Sequence, residues 1–206
     1  MLKVWGRTNS INVQKVMWTI AELGLPHEHT NVGGAFGGND SAEYLAMNPN
    51  GRVPVIDDDG LVIWESNAIV RYLCAKHSEG ALWQADPAAR SHADRWMDWQ
   101  ASSLIADLVT VFWGLIRTPE PERDWIAIGD AATRLNNQMG ILDAHLSQLP
   151  WVAGDRMTMG DIPIGALVYR WLHLPMERPE AHNIDAYYQR LTERPAFADH
   201  VMIPLT

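Results

Sequence analysis

The 206-residue chain reads as two modules, a small α/β domain over residues 1–80 followed by an all-helical domain over residues 86–206. Three observations carry this expectation. Strand-like and helical runs alternate up to about residue 80, and every later run has the helical apolar period. The turn "DDDG" at 57–60 joins two short apolar runs that lie too close in sequence to be anything but antiparallel neighbours.

In chain order, "LKVW" (2–5) is the first strand, and an amphipathic helix follows from about 11 to 24, ending at Gly24. A short extended piece near 28–32 comes next, then the strands "VPVID" and "LVIW" and the helix "SNAIVRYLCAKH" over 66–77, giving a β-α-β unit followed by β-β-α. "VGGAFGGND" (32–40) is a loop without the lysine and spacing of a phosphate loop. The second module opens at Asp86, an N-cap, with Pro87 at the first helical position. Near its middle, "MTMGDI" places Thr158 as N-cap and Asp161 at N3, with Met157 and Ile162 as a hydrophobic staple, an arrangement that serves stability.

Composition bounds the function. At 47% hydrophobic residues the chain can build a real core, and its formal charge of -9 argues against a nucleic-acid partner, which needs a basic stripe. No apolar run approaches the roughly 18 residues needed to span a bilayer, and the N-terminus lacks the apolar stretch of a signal peptide, so no membrane is expected and the cytosol is the default. The single cysteine, Cys74, sits in an apolar helix and excludes both a disulfide and a Cys-x-x-Cys site. Any thiol chemistry must therefore use another molecule's thiol. His27 and His29 lack a third ligand nearby, so no metal site is expected.

Within "NPNGRVPVIDDDGLVIWESNAI", Pro54 stands where an apolar strand begins, although proline cannot donate to a strand ladder. The pairing of "NPNGRVPVI" with "WESNAI", together with "SINVQKV" at the first helix and "TMGDI" at 158–162, resembles the cytosolic glutathione transferase family over the whole chain. More narrowly, it is similar to bacterial members whose first helix begins with a serine and an asparagine in place of a catalytic tyrosine or cysteine. That resemblance implies a thioredoxin-like N-terminal domain, an all-α C-terminal domain, a homodimer, and glutathione as co-substrate for attack on a small hydrophobic electrophile. Conjugation, dehalogenation and glutathione-dependent reduction are variants of that step. The same fold is also carried by non-catalytic binding or regulatory modules.

Glutathione presents an ammonium and a carboxylate at its γ-glutamyl end, a cysteinyl middle and a glycine carboxylate. A cis bond at Val53-Pro54 would turn the Val53 amide and carbonyl outward to pair with the cysteinyl backbone. Ser66, placed as N-cap of the helix 66–77, and the free amides behind it suit a carboxylate, while Glu65 suits the ammonium. Arg52 and Lys15 are cations available for the glycine carboxylate, with Asn39 a weaker polar candidate. The thiol, with an ordinary pKa of about 8.5, must ionise to react. Ser10 and Asn12, both small donors at the start of the first helix, are the candidates to stabilise the thiolate; plain capping by Ser10 is the competing reading. Leu108, Phe112, Trp113 and Arg117, at helical spacings on the long helix of the second domain, are the candidates for the electrophile's pocket, expected between the two domains.

Overall fold

The computed structural model describes residues 1–206. Two compact units are present: Met1–Trp83 with Pro195–Ile203, and Gln84–Arg194 with Pro204–Thr206.

The first unit is built on a four-stranded sheet, β1 (Leu2–Trp5), β2 (His27–Thr30), β3 (Val55–Asp58) and β4 (Leu61–Trp64), in the order β2-β1-β3-β4. β1 and β2 run parallel because the helix α1 (Ile11–Glu22) carries the chain back between them; β3 is antiparallel to β1, with Trp5 opposite Val55. β3 and β4 turn through Asp59 (φ 52°) and Gly60 (φ 94°), the left-handed pair a two-residue hairpin demands, and Gly60 N donates to Asp57 Oδ1 at 2.6 Å. α1 stops where Gly24 takes φ 61°, as the sequence predicts. Its apolar face, Val13, Val16, Met17 and Ile20, packs on Leu2 and Val4 of β1, on Ile56 of β3 and on Ile69 and Leu73 of α3 (Ser66–His77). Each such side chain stabilises by roughly 1.5 to 3 kcal/mol when removed from water.

One element escapes the sequence reading. α2 (Ala42–Met47) lies between the glycine-rich loop and the "NPNG" turn, only six residues long and without an apolar period of its own; Ser41 caps it by accepting from Tyr44 N. Only Tyr44 is buried on this helix, so no stripe marks it in the sequence. The final helix α9 (Pro195–His200) belongs to the first unit, where Phe197 meets Trp18 edge to face with ring centroids 4.8 Å apart.

The second unit is helical. α4 (Pro87–Trp99) and α5 (Ile105–Phe112) form one continuous run, Pro87–Arg117, interrupted by π-helical turns at Gln100–Leu104 and Trp113–Arg117. Asp86 caps it as expected, accepting from Ala89 N at 2.8 Å. By length and average composition this run would also suffice to cross a bilayer, although no uninterrupted apolar stretch marks it. It packs through the buried Met97, Leu104, Leu108 and Val111 and is flanked by α6 (Trp125–Leu146) and α7 (Asp161–His173). α8 (His182–Thr192) begins where Asp143 of α6 accepts from the backbone amides of Asn183 and Ile184, both at 2.9 Å. Cys74 is fully buried in α3 and its thiol is pushed up to about 12 by burial, a packed core group as the sequence predicts.

Candidate active site

Ser10 has the extended backbone of an N-cap and its carbonyl accepts the first bond of α1, from Gln14 N at 2.9 Å. Its hydroxyl makes no bond to that helix. The capping reading therefore fails for the side chain: a serine 9% exposed keeps its O–H at the positive end of a twelve-residue helix and free of the backbone. Asn12, the second residue of the same helix, accepts on Oδ1 from Ser66 Oγ at 3.2 Å. Fixing Oδ1 in this way leaves the Nδ2 donors of Asn12 available to another acceptor.

Ser66 is not the N-cap. Glu65 occupies that position at φ 70°, ψ 108°, and Ser66 is the first helical residue, its hydroxyl directed to Asn12. The left-handed φ of a non-glycine residue costs on the order of 1 kcal/mol or more, and such strain persists where surrounding structure demands it. Here it lets the chain turn sharply from β4 into α3 and leaves the Glu65 carboxylate exposed beside the helix start. The first amide to donate within α3 is Ile69 N, to Glu65 O at 2.9 Å, so the Ser66 amide ahead of it remains at the positive helix end. One residue thus offers a carboxylate and the next an amide, the pair a zwitterion requires.

The Val53-Pro54 bond is cis, as expected, and neither the Val53 amide nor its carbonyl has a partner in the chain. The loop before it is braced. Asn48 Nδ2 and Tyr44 Oη both donate to Arg52 O at 2.8 Å, Gly51 N donates to Asn48 O at 3.0 Å, and Asn39 Nδ2 donates to Gly51 O at 2.8 Å. Asn39 is therefore a brace whose amide is committed to the loop. Arg52 holds its backbone in this network and extends an exposed side chain without an ion-pair partner. Asn48 and Tyr44, buried and essential to the loop, were not singled out from the sequence. The "NPNG" spelling carried the signal, in the form of an asparagine able to bond its own chain two to four residues on.

Lys15 contradicts its assignment. It is 2% exposed on the inner face of α1 and its ammonium donates to Asn67 Oδ1 at 2.9 Å, so it is unavailable to a carboxylate at the surface. The apolar stripe of α1 carries it into the interior, where its long stem is covered and its head reaches the start of α3. Burial lowers its pKa to about 7, opposed by the Glu65 charge. The native state has released this proton above about pH 7 while the unfolded chain holds it to about 10.5, so stability is gained as pH rises between them. A Lys15→Met variant should lose that slope. Denaturant titrations of both proteins between pH 7.5 and 9.5 should diverge by up to about 1.4 kcal/mol per pH unit, and parallel profiles would remove Lys15 as a buried titrating group.

The four residues proposed to line an electrophile pocket do not share one surface. Leu108 and Phe112 are 1% and 4% exposed and pack inside the helical unit, whereas Trp113 is 52% exposed. Arg117 lies over the rings of Phe112 and Trp113, at 4.9 and 4.7 Å from their centroids, and donates to Thr206 O at 2.9 Å. The π-helical turn at Trp113–Arg117 shifts these side chains off the α-helical spacing on which the sequence reading relied. The "TMGDI" box differs from the expectation in its frame: Gly160, not Thr158, is the N-cap of α7, and Asp161 is its first residue rather than N3, because the turn 158–160 precedes the helix; within that turn Asp161 Oδ2 accepts from Thr158 N at 2.8 Å and Thr158 Oγ1 accepts from Gly160 N at 3.3 Å.

The chain matches the glutathione S-transferase N-terminal domain over residues 1–75 and the glutathione S-transferase C-terminal domain over residues 104–195. It is 43% identical over 208 residues to glutathione S-transferase GstB of Escherichia coli, covering all of both chains. Among solved structures, the theta class glutathione S-transferase from Xanthomonas axonopodis pv. citri with glutathione bound superposes with a TM-score of 0.97 at 48% identity, covering 100% of this chain and 99% of that one. The fold also reaches proteins of other kinds, as in elongation factor 1-gamma 1 of Oryza sativa subsp. japonica, 26% identical over 77% of this chain and 38% of that protein. Both family domains in order, and full-length identity to a named transferase, place the chain in the glutathione S-transferase family.

Proposed function

We propose that the protein binds glutathione along Val53, Glu65 and Ser66, ionises its thiol beside Ser10 and Asn12, and transfers the sulfur to a small electrophile. The observation that carries this reading is the Ser10 hydroxyl, held at the start of α1 and uncommitted to it. The unpaired Val53 amide and carbonyl suit the cysteinyl backbone as a short added strand, and the Ser66 amide and Glu65 carboxylate suit the γ-glutamyl group. Arg52 reaches the glycine carboxylate, with Asn39 holding its loop. In the reaction the thiolate pair forms the new carbon–sulfur bond, the leaving group departs with the electrons of the bond it breaks, and the thiol proton passes to solvent. Trp113 and Arg117, the accessible pair of the four residues on the long helix, remain our candidates to contact the electrophile.

The non-catalytic module is disfavoured because a module without thiol chemistry has no need of an uncommitted hydroxyl at this helix start. The cytosol, whose glutathione pool keeps thiols reduced, supplies the co-substrate. A homodimer is supported by Leu61, Val62 and Trp64, exposed along the edge strand β4.

Glu65→Ala should weaken glutathione binding by about 1.5 to 3 kcal/mol, the scale of a charge-assisted hydrogen bond. Calorimetric affinity checks it, and an unchanged value would sink the assignment of the γ-glutamyl end. Turnover across haloacids, chloronitroaromatics, isothiocyanates and disulfides separates the transferase from the module.

A further inference from the structure

Arg7 lies in the turn between β1 and α1 that ends at Ser10, whose amide donates to Arg7 O at 3.2 Å. Its side chain is half-buried and has neither a hydrogen bond nor an ion pair within the chain. Burial alone lowers its pKa, with no acidic group acting on it. The space it occupies is made by two glycines. A Cβ at Gly34 would fall 2.9 Å from Arg7 Cδ and 3.0 Å from Nε, and a Cβ at Gly33 would fall 3.4 Å from an Arg7 terminal nitrogen and 3.4 Å from a Val53 methyl. Both glycines have left-handed φ, 83° and 60°, so a side chain there is excluded by conformation as well as by the arginine. The guanidinium is thereby held along the glycine-rich loop, beside the side chain of the residue whose backbone faces the ligand.

An always-charged group kept half out of water without a counter-ion is costly unless an anion arrives to meet it. Resting on the glutathione reading above, the anions of the bound tripeptide are already met: Ser66 and its helix end take the γ-glutamyl carboxylate, Ser10 and Asn12 the thiolate, and Arg52 the glycine carboxylate. Arg7 shares its turn with the thiolate's donor and not with either carboxylate site. We infer that Arg7 is a specificity-determining residue that recognises an anionic group, a carboxylate or its like, carried by the electrophile on a short chain beyond the carbon under attack. An arginine suits this task because its planar fork can meet a carboxylate with two parallel bonds.

The test compares two conjugates that need no turnover, S-butylglutathione and S-(3-carboxypropyl)glutathione, with glutathione itself, by calorimetry on the full chain. Arg7→Gln should bind the carboxylated conjugate about tenfold more weakly while its affinities for S-butylglutathione and glutathione stay within twofold, and Arg7→Lys should recover part of the loss. Equal weakening for all three ligands would overturn the inference and assign Arg7 to glutathione; unchanged affinity for the carboxylated conjugate would overturn it outright. Failure of the unmodified protein to bind any of the three would instead remove the glutathione reading on which it rests. If Arg7→Gln fails to fold, as judged by circular dichroism, Arg7→Lys alone decides. Its affinity for the carboxylated conjugate should then fall several-fold more than for the butyl one, and equal changes would overturn the inference.

Discussion

Asp161→Ala should lower the unfolding free energy of the helical unit by about 3 to 5 kcal/mol, far above the roughly 1 kcal/mol of an ordinary substitution. The carboxylate is fully buried and takes four donors: Val152 N at 3.0 Å, Thr158 N at 2.8 Å, Thr158 Oγ1 at 3.2 Å and the Tyr187 hydroxyl at 3.1 Å. Alanine leaves the two amides and the Thr158 hydroxyl in the interior without this acceptor, and the Tyr187 hydroxyl with only the Asp161 carbonyl at 3.4 Å, each lost bond costing about 1 to 3 kcal/mol before relaxation. Burial nonetheless outweighs these bonds and raises the carboxyl to about 6. A raised carboxyl keeps its proton in the native state after the unfolded chain has lost it, so its contribution is full below about pH 4 and declines as pH rises through about 6. Denaturant midpoints at pH 5 and pH 7 should therefore show a loss for the variant at both, and a variant as stable as the parent would show the bonds to be dispensable.

The elements that were legible in the sequence are those whose period is enforced by a large buried face. α1 and α3 could be read because Val13, Val16, Ile20, Ile69 and Leu73 must all reach one core, and β3 and β4 because Asp59 and Gly60 spell their turn. α2 could not, since a helix that buries one tyrosine carries no period. Site residues divide along the same line. The cis Val53-Pro54 bond and the exposed Glu65 carboxylate beside a helix start were legible because they fall on backbone and charge at fixed positions. The accessibility of Lys15 and the placement of Ser66 as N-cap were misread because they depend on which side of a helix faces inward and on where it begins, the latter within the one- or two-residue uncertainty of any helix end. Arg7 left no sequence signal at all: it matters through the space that Gly33 and Gly34 open to it from a distant loop.

The variant pair at the start of α1 should separate two roles that the sequence could not rank. The Ser10 hydroxyl makes no cap bond to α1, so Ser10→Ala should raise the bound thiol's pKa by less than one unit and leave glutathione affinity nearly unchanged, one donor contributing about 1 kcal/mol. Asn12→Ala removes a similar donor and also releases the Ser66 hydroxyl, which loses its acceptor 3.2 Å away at the γ-glutamyl site. It should therefore raise the thiol's pKa and weaken glutathione binding together. The double variant loses both donors, and about 2 kcal/mol of thiolate stabilisation corresponds to a rise of about 1.5 pKa units and roughly a thirtyfold fall in turnover at a pH below the thiol's pKa. Thiolate absorbance of the bound complex as a function of pH, with calorimetric affinity beside it, distinguishes these outcomes. If the double variant titrates like the parent, neither side chain activates the sulfur, and the helix N-terminus with its backbone amides must hold the thiolate unaided.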